Sequence, residues 1–203
     1  MRFFRTGLWH KDFLFKEESD WKLPEEDMTF GGNTLYVDLI PSSCWFSNVR
    51  SLVSYADWRI IRNKVISRAE YKCEICGSEE MPLHCHERWD FNDKTQTQTL
   101  KRLMCICPAC HDTTHFGRSQ ITGHGKTAIK HLEDVNKWNI TETKSHISNA
   151  FALWKARSKM EWNLDISIIT NAGISVNEIP GSNKREKISH ETIKRINKND
   201  DQY

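Results

Sequence analysis

Long apolar runs are missing from this 203-residue chain. No stretch approaches the roughly 20 residues needed to cross a bilayer, and Met1–His10 (MRFFRTGLWH) lacks the apolar core and cleavage site of a signal peptide. The expected setting is therefore cytoplasmic, without membrane attachment. An excess of either charge is also missing: 29 Lys and Arg face 27 Asp and Glu, so net charge alone does not mark a nucleic-acid binder. Apolar residues are scarce as well, at 38%, below the roughly 45 to 50% of compact domains. Part of the chain is thus expected to stay outside the core. Internal repeats are absent, and 203 residues hold one ordinary domain with appendages.

What is present is cysteine, in an odd number that argues against a disulfide framework: seven residues in a chain read as cytoplasmic. Cys73-Glu74-Ile75-Cys76-Gly77 and Cys107-Pro108-Ala109-Cys110-His111 form two CxxC pairs. Each such turn brings two thiolates to one point, and four soft sulfur ligands close a tetrahedral zinc site with no open position. Cys73, Cys76, Cys107 and Cys110 are therefore the expected ligands of one structural Zn2+.

Two histidine clusters flank these pairs. Met81–Trp89 (MPLHCHERW) has a strand-like composition and carries His84, Cys85, His86 and Glu87. After the second pair, Pro108 suits the first turn of a helix and Gly117 its end, predicting a helix over Cys110–Phe116 with His111 and His115 on one face.

Elsewhere the patterning is simpler. Thr34–Ile40 (TLYVDLI) alternates as a half-buried strand, and Leu164, Ile166 and Ile168 alternate as a second one that is expected to pair with it. Ser54, with Asp57 three residues on, starts a helix expected to reach Tyr71; its segment Arg50–Lys72 carries six basic and two acidic residues. That basic surplus reads either as a solvated face or as a phosphate-binding one. Ile129, Leu132 and Val135 suggest a further packing helix, and Ile147, Ala150, Phe151 and Trp154 another, capped by Thr141. Residues 1–30 read as an irregular arm. The polar stretch 173–203 reads as a tail, in which Ile188, Ile193 and Ile196 allow a short partner-binding helix. Either segment is a place for a protein partner.

The combination of a helix leading into CxxCG (WRIIRNKVISRAEYKCEICG), the CHE strand and the CPxCH helix start resembles the HNH endonuclease family. More loosely, residues 34–170 are similar to uncharacterised bacterial HNH proteins with CHE…W and CPACH…H patterns. The resemblance implies an α+β fold: a ββα-metal (His-Me finger) core over residues 55–117, braced by the four-cysteine knuckle. Helices and a small accessory sheet would surround it, with an extension over 118–172, giving a nuclease-like domain over 31–172.

The resemblance further implies a metal-dependent endonuclease that hydrolyses phosphodiester bonds in DNA, or RNA. His86 would be the general base, with Glu87 fixing its tautomer. His111 and His115 would hold one catalytic divalent ion (Mg2+, Mn2+, Ni2+ or Zn2+), completed by Cys85 or His84. Cys85 reads equally as a small apolar filler pointing inward. Arg102 stands where the family usually has Asn; it cannot ligate a cation, but can hold a scissile phosphate bidentately. Arg59, Arg62, Arg68, Lys101 and Arg118 are the expected phosphate contacts. Two other functions stay open: a zinc-braced nucleic-acid-binding or adaptor protein without catalysis, for which Arg102 argues, and a small redox or metal-sensing protein, since Cys105, Cys107 and Cys110 lie close together in sequence and Cys44 and Cys85 are spare.

Overall fold

The computed structural model describes residues 21–45 and 48–178. The first twenty residues of the expected arm and the expected tail helix around Ile188, Ile193 and Ile196 lie outside them. The architecture is α+β, with a small three-stranded mixed sheet and helices around it. No described helix is long and apolar enough to cross a membrane.

A short helix, Val49–Leu52 (α1), precedes the basic helix Tyr55–Arg68 (α2). Ser54 caps α2: its Oγ accepts from the Asp57 N–H at 3.1 Å and donates to Asp57 Oδ2 at 2.7 Å. Ile61, Val65 and Ile66, at helical spacing, bury one face against the sheet. The helix ends before the expected Tyr71 because Glu70 and Tyr71 turn left-handed, at φ +52° and +58°, and aim the chain into Cys73.

Strands His84–Asn92 (β1) and Thr97–Ile106 (β2) form an antiparallel hairpin with His84 opposite Ile106 and His86 opposite Met104. Its turn is held by Asn92, whose Oδ1 accepts from the Lys94 and Thr95 N–H groups. Pro108–Thr114 (α3) follows the hairpin directly, and Phe116–Ile121 (α4) follows α3 after His115. The single helix expected over Cys110–Phe116 is thus broken at His115, and Gly117 lies inside α4 instead of ending α3.

Gly125–Asn136 (α5) and Ile140–Arg157 (α6) are the two packing helices. Lys137 closes α5 in the left-handed region at φ +58°. The cap of α6 is Asn139, not Thr141: Asn139 Oδ1 accepts from the Thr141 and Glu142 N–H groups, and Glu142 Oε2 accepts from the Asn139 N–H. The reciprocal pair forms a capping box. Asn139→Ala is expected to destabilise the protein by about 1 kcal/mol, read as a lower urea midpoint with unchanged slope.

The two alternating segments do not pair with each other. Asn163–Asp165 (β3) lies parallel to Thr97–Thr99 of β2, and Ile168 falls in a short helix, Ser167–Thr170 (α7). Residues 34–40 are extended but outside the sheet. Leu35 and Val37 are buried as the alternation requires. The backbone groups, however, bond to helices: the Val37 N–H donates to His146 Nε2, the Asp38 N–H to Thr114 O, and Leu35 O accepts from Asn136 Nδ2. Alternation reports which side chains are covered, and tertiary packing chose the partner.

The core extends beyond residues 31–172. Trp21, Leu23 and Glu26 are buried within it, and Ile174 is buried while Val176 bridges to Val53. Glu26 forms a two-pronged ion pair with Arg68, at 2.8 and 2.9 Å, and accepts as well from the Leu23 and Leu103 N–H groups. The chain entering the domain is thereby fastened to α2 and β2.

Candidate metal centres

The sulfurs of Cys73, Cys76, Cys107 and Cys110 lie within 4.8 Å of one another. Tetrahedral zinc with Zn–S bonds of about 2.3 Å needs sulfurs about 3.8 Å apart, and Cys76 Sγ stands 3.6 Å from Cys107 Sγ. Two local structures shape the cluster. Gly77, at φ +76°, lets its N–H return to Cys73 O at 2.8 Å, while Cys107 caps α3 and its Sγ accepts from the Cys110 N–H. Hydrogen bonds from Cys107 and Cys110 pull the Cys73 thiol far below its usual range. Bonds to Cys107 and Cys73 push Cys110 far above it. The crowded sulfurs thus push one another's ionisation in opposite directions, and a cation among them would favour the thiolate form of all four. The cluster can hold a structural zinc.

Its surroundings contain two groups with no signal in the sequence spacing. His131 of α5 places Nε2 3.2 Å from Cys110 Sγ, the outer contact that commonly orients a metal-bound sulfur. Glu74, inside the first CxxC turn, accepts from the Cys105 N–H through Oε2 and from Arg102 Nη2 through Oε1 at 2.9 Å. Both are legible only after the fold brings α5 and β2 to the knuckle.

The second centre is made of histidines. Ring nitrogens of His86 on β1, His111 on α3 and His115 at the α3–α4 junction also lie within 4.8 Å of one another. The rings meet edge to face, with centroids 5.8 Å apart for His86 and His111, 5.1 Å for His86 and His115, and 4.6 Å for His111 and His115. Burial holds His86 well below the usual imidazole range and brings His111 down to about 2 and His115 to about 4; neighbouring histidines push the same way, joined by Arg88 at His86 and by Arg118 at His111 and His115. All three rings are therefore neutral at pH 7, the form that ligates metal. His86 Nε2 is buried without a hydrogen-bond partner, a deficit that ordinarily costs about 1 to 3 kcal/mol. The nitrogen set fits a divalent ion.

This arrangement revises several expectations. The third nitrogen grouped with His111 and His115 belongs to His86 itself, not to Cys85 or His84. Cys85 alternates with His86 along β1 and borders the same cavity but is not in the three-nitrogen group, and burial raises its thiol well above the usual range. His84 stacks flat on His111, with centroids 4.4 Å apart and planes 6° from parallel.

Glu87 does not reach His86. It points toward α1, where Oε1 accepts from the Val49 N–H at 2.7 Å, and burial raises its carboxyl to about 7.

Arg102 is 3% exposed and engaged away from the histidines. Its guanidinium pairs with Glu74 and donates to Gly32 O and Asn33 Oδ1. It fastens the zinc knuckle to the 30–33 turn, so a phosphate-holding role is not available to it.

The histidine centre opens into a cavity of about 780 Å3. Of the expected phosphate contacts, Arg62 and Arg118 line it. Arg59 is exposed on α2 and Lys101 half-buried on β2, both outside the lining, while Arg68 has a side chain only 3% exposed and is committed to Glu26. Arg50 also lines the cavity, together with Trp45, Trp58, Trp89, Phe151 and Trp154; of these aromatics, Phe151 and Trp154 were expected only as packing residues of a helix.

No family model, curated protein or solved structure matches this chain.

Proposed function

We propose that this protein is a metal-dependent hydrolase of phosphodiester bonds in nucleic acid, of the HNH kind, in which the four-cysteine zinc is structural. His86, His111 and His115 would hold the catalytic ion. The observation that carries the reading is the convergence of three neutral imidazoles, from a hairpin strand and the helix directly after it, in a cavity lined by Arg62 and Arg118. The order hairpin, helix and flanking CxxC pairs supports the HNH resemblance.

Three imidazoles favour Zn2+ or Ni2+ over Mg2+, which prefers oxygen ligands. When bound, such an ion supplies Lewis acidity toward a phosphoryl oxygen and toward water. The chain's own residues do the rest. Burial keeps the three rings unprotonated, Arg62 and Arg118 attract and orient the phosphate, and the cavity walls limit water. With His86 committed as a ligand, His84 is the imidazole left to take a proton. It lines the cavity, and burial lowers its pKa and so favours the neutral form.

The test is cleavage of supercoiled plasmid at low salt with Zn2+, Ni2+, Mn2+ or Mg2+, alongside metal content after dialysis. The unaltered protein is expected to retain two equivalents of metal and nick the plasmid. His86→Ala is expected to retain only the four-cysteine equivalent and to lose nicking. Cleavage lost with both equivalents kept would return His86 to the role of base. Salt-sensitive plasmid binding without cleavage under any ion would point instead to a zinc-braced nucleic-acid-binding protein.

A further inference from the structure

Resting on the phosphodiesterase reading, the shape of the cavity narrows the substrate class. A phosphate-tracking surface needs arginines but has no use for a deep aromatic lining. Here Trp45, Trp58, Trp89, Phe151 and Trp154 line the same cavity as the three histidines. They come from four separate places: the loop before α1, α2, β1 and α6.

Two of these rings are fixed by one acceptor. Ile40 O accepts from Trp45 Nε1 at 2.9 Å and from Trp154 Nε1 at 3.1 Å. The indole N–H groups are thus consumed by the protein, so the two rings have only their carbon surfaces to offer a ligand. Trp45, Trp58, Phe151 and Trp154 are each only partly buried, leaving ring surface accessible in the cavity.

At about 780 Å3 the space falls within the roughly 300 to 1,000 Å3 of pockets that enclose small organic ligands. The cationic side is as specific. Arg50 and Arg118 are exposed, line the cavity and enter no ion pair among the described residues. An apolar, flat-walled space with free guanidinium groups beside a metal-ligand cluster suits a group that is aromatic on one part and anionic on the next.

We propose that the cavity receives the base of one unpaired nucleotide in a nucleic-acid strand, stacked among these aromatic rings, with its flanking phosphodiester at the histidine centre and Arg50, Arg62 and Arg118 on the phosphates. The preferred substrate is single-stranded nucleic acid. A fully paired duplex must first unpair, unstack and extrude a base.

The experiment measures binding rather than cleavage, on the full chain with its zinc and with no added divalent ion, by fluorescence anisotropy and tryptophan quenching. The probes are a 12-mer thymidine oligonucleotide, its uridine counterpart, the corresponding duplex, and an abasic deoxyribose-phosphate 12-mer of equal charge. The thymidine strand is expected to quench tryptophan emission and to bind at least tenfold tighter than the duplex or the abasic strand. The uridine strand presents a stacking base face as well and is likewise expected to bind tighter than the abasic strand. Trp58→Ala is expected to weaken single-strand binding roughly ten- to hundredfold, the range for losing one base stack, and to leave abasic binding unchanged.

Equal affinity for the thymidine, abasic and duplex probes would overturn the proposal, and that comparison needs no variant to fold. Thymidine monophosphate binding as tightly as the 12-mer would also overturn it, in favour of a free nucleotide. Absence of cleavage bears on the histidine centre alone and leaves this binding result to be judged separately.

Discussion

Cys107→Ser is expected to release the structural zinc and, with it, the cooperative fold. The substitution is selective. Cys107 is the N-cap of α3, where its Sγ accepts from the Cys110 N–H, and serine is among the best N-cap residues. The helix start is therefore preserved while one of four thiolates disappears. What is lost is the anchor between two parts of the chain distant in sequence: the loop leaving α2, with Cys73 and Cys76, and the β2–α3 junction, with Cys107 and Cys110. Structural zinc sites contribute about 10 to 16 kcal/mol in small zinc-binding peptides, comparable with or above the roughly 5 to 15 kcal/mol that stabilises a whole domain. Metal analysis should show one equivalent fewer than in the unaltered protein. Thermal unfolding followed by circular dichroism should lose its sharp transition, and a chelator added to the unaltered protein should do the same. A variant that keeps its zinc and its melting temperature would show that the cluster is not a structural metal site.

Glu26→Ala carries the second large effect, expected at about 3 to 5 kcal/mol because a buried guanidinium is left without its partner. Glu26 is 3% exposed, and its carboxylate receives both prongs of Arg68 together with the Leu23 and Leu103 N–H groups. Alanine thus strands one charge and two backbone donors at once. Replacing both members, Glu26→Gln with Arg68→Met, removes the charge along with its partner and should recover much of the loss. Urea unfolding of the two variants measures the difference. A loss below about 1 kcal/mol for Glu26→Ala would mean that water reaches Arg68 when the carboxylate is gone. The same pair explains why Arg68 left the set of phosphate contacts: its charge is spent in holding the entering chain to α2 and β2.

Features encoded over short distances along the chain were legible in the sequence itself. Two CxxC turns predict a four-sulfur cluster because each turn is a local geometry that only needs the other turn nearby. Ser54 with Asp57 marks the start of α2 for a similar reason, since a cap and its target are three residues apart. His111 and His115 come together because a helical turn places residues four apart on one side, and the kink at His115 did not separate them. The α+β class was what the family resemblance implied, and the stretches of period 2 and period 3.6 in the chain are compatible with it.

Features that depend on which segments meet were not legible. The period of TLYVDLI correctly buries Leu35 and Val37. It could not say that the backbone of this segment would bond to helices 76 to 109 residues later, because alternation carries no information about a partner. Arg102 and Arg68 looked like free cations in a basic region, yet each is neutralised by a glutamate 28 or 42 residues earlier in the chain. His86 read as a base because its place in the motif was clear while its distance from two other rings was not.

Sequence alone determined the four-cysteine cluster, the basic capped helix and the pairing of His111 with His115, since each is fixed by chain connectivity over a few residues. Only the tertiary structure decided that His86 completes a three-nitrogen set, that Arg102 and Arg68 are structural, and that Trp45 and Trp154 share one carbonyl beside that set. Those outcomes depend on burial and on contacts between distant segments, and a charge or an aromatic ring has no fixed role until its neighbours are in place.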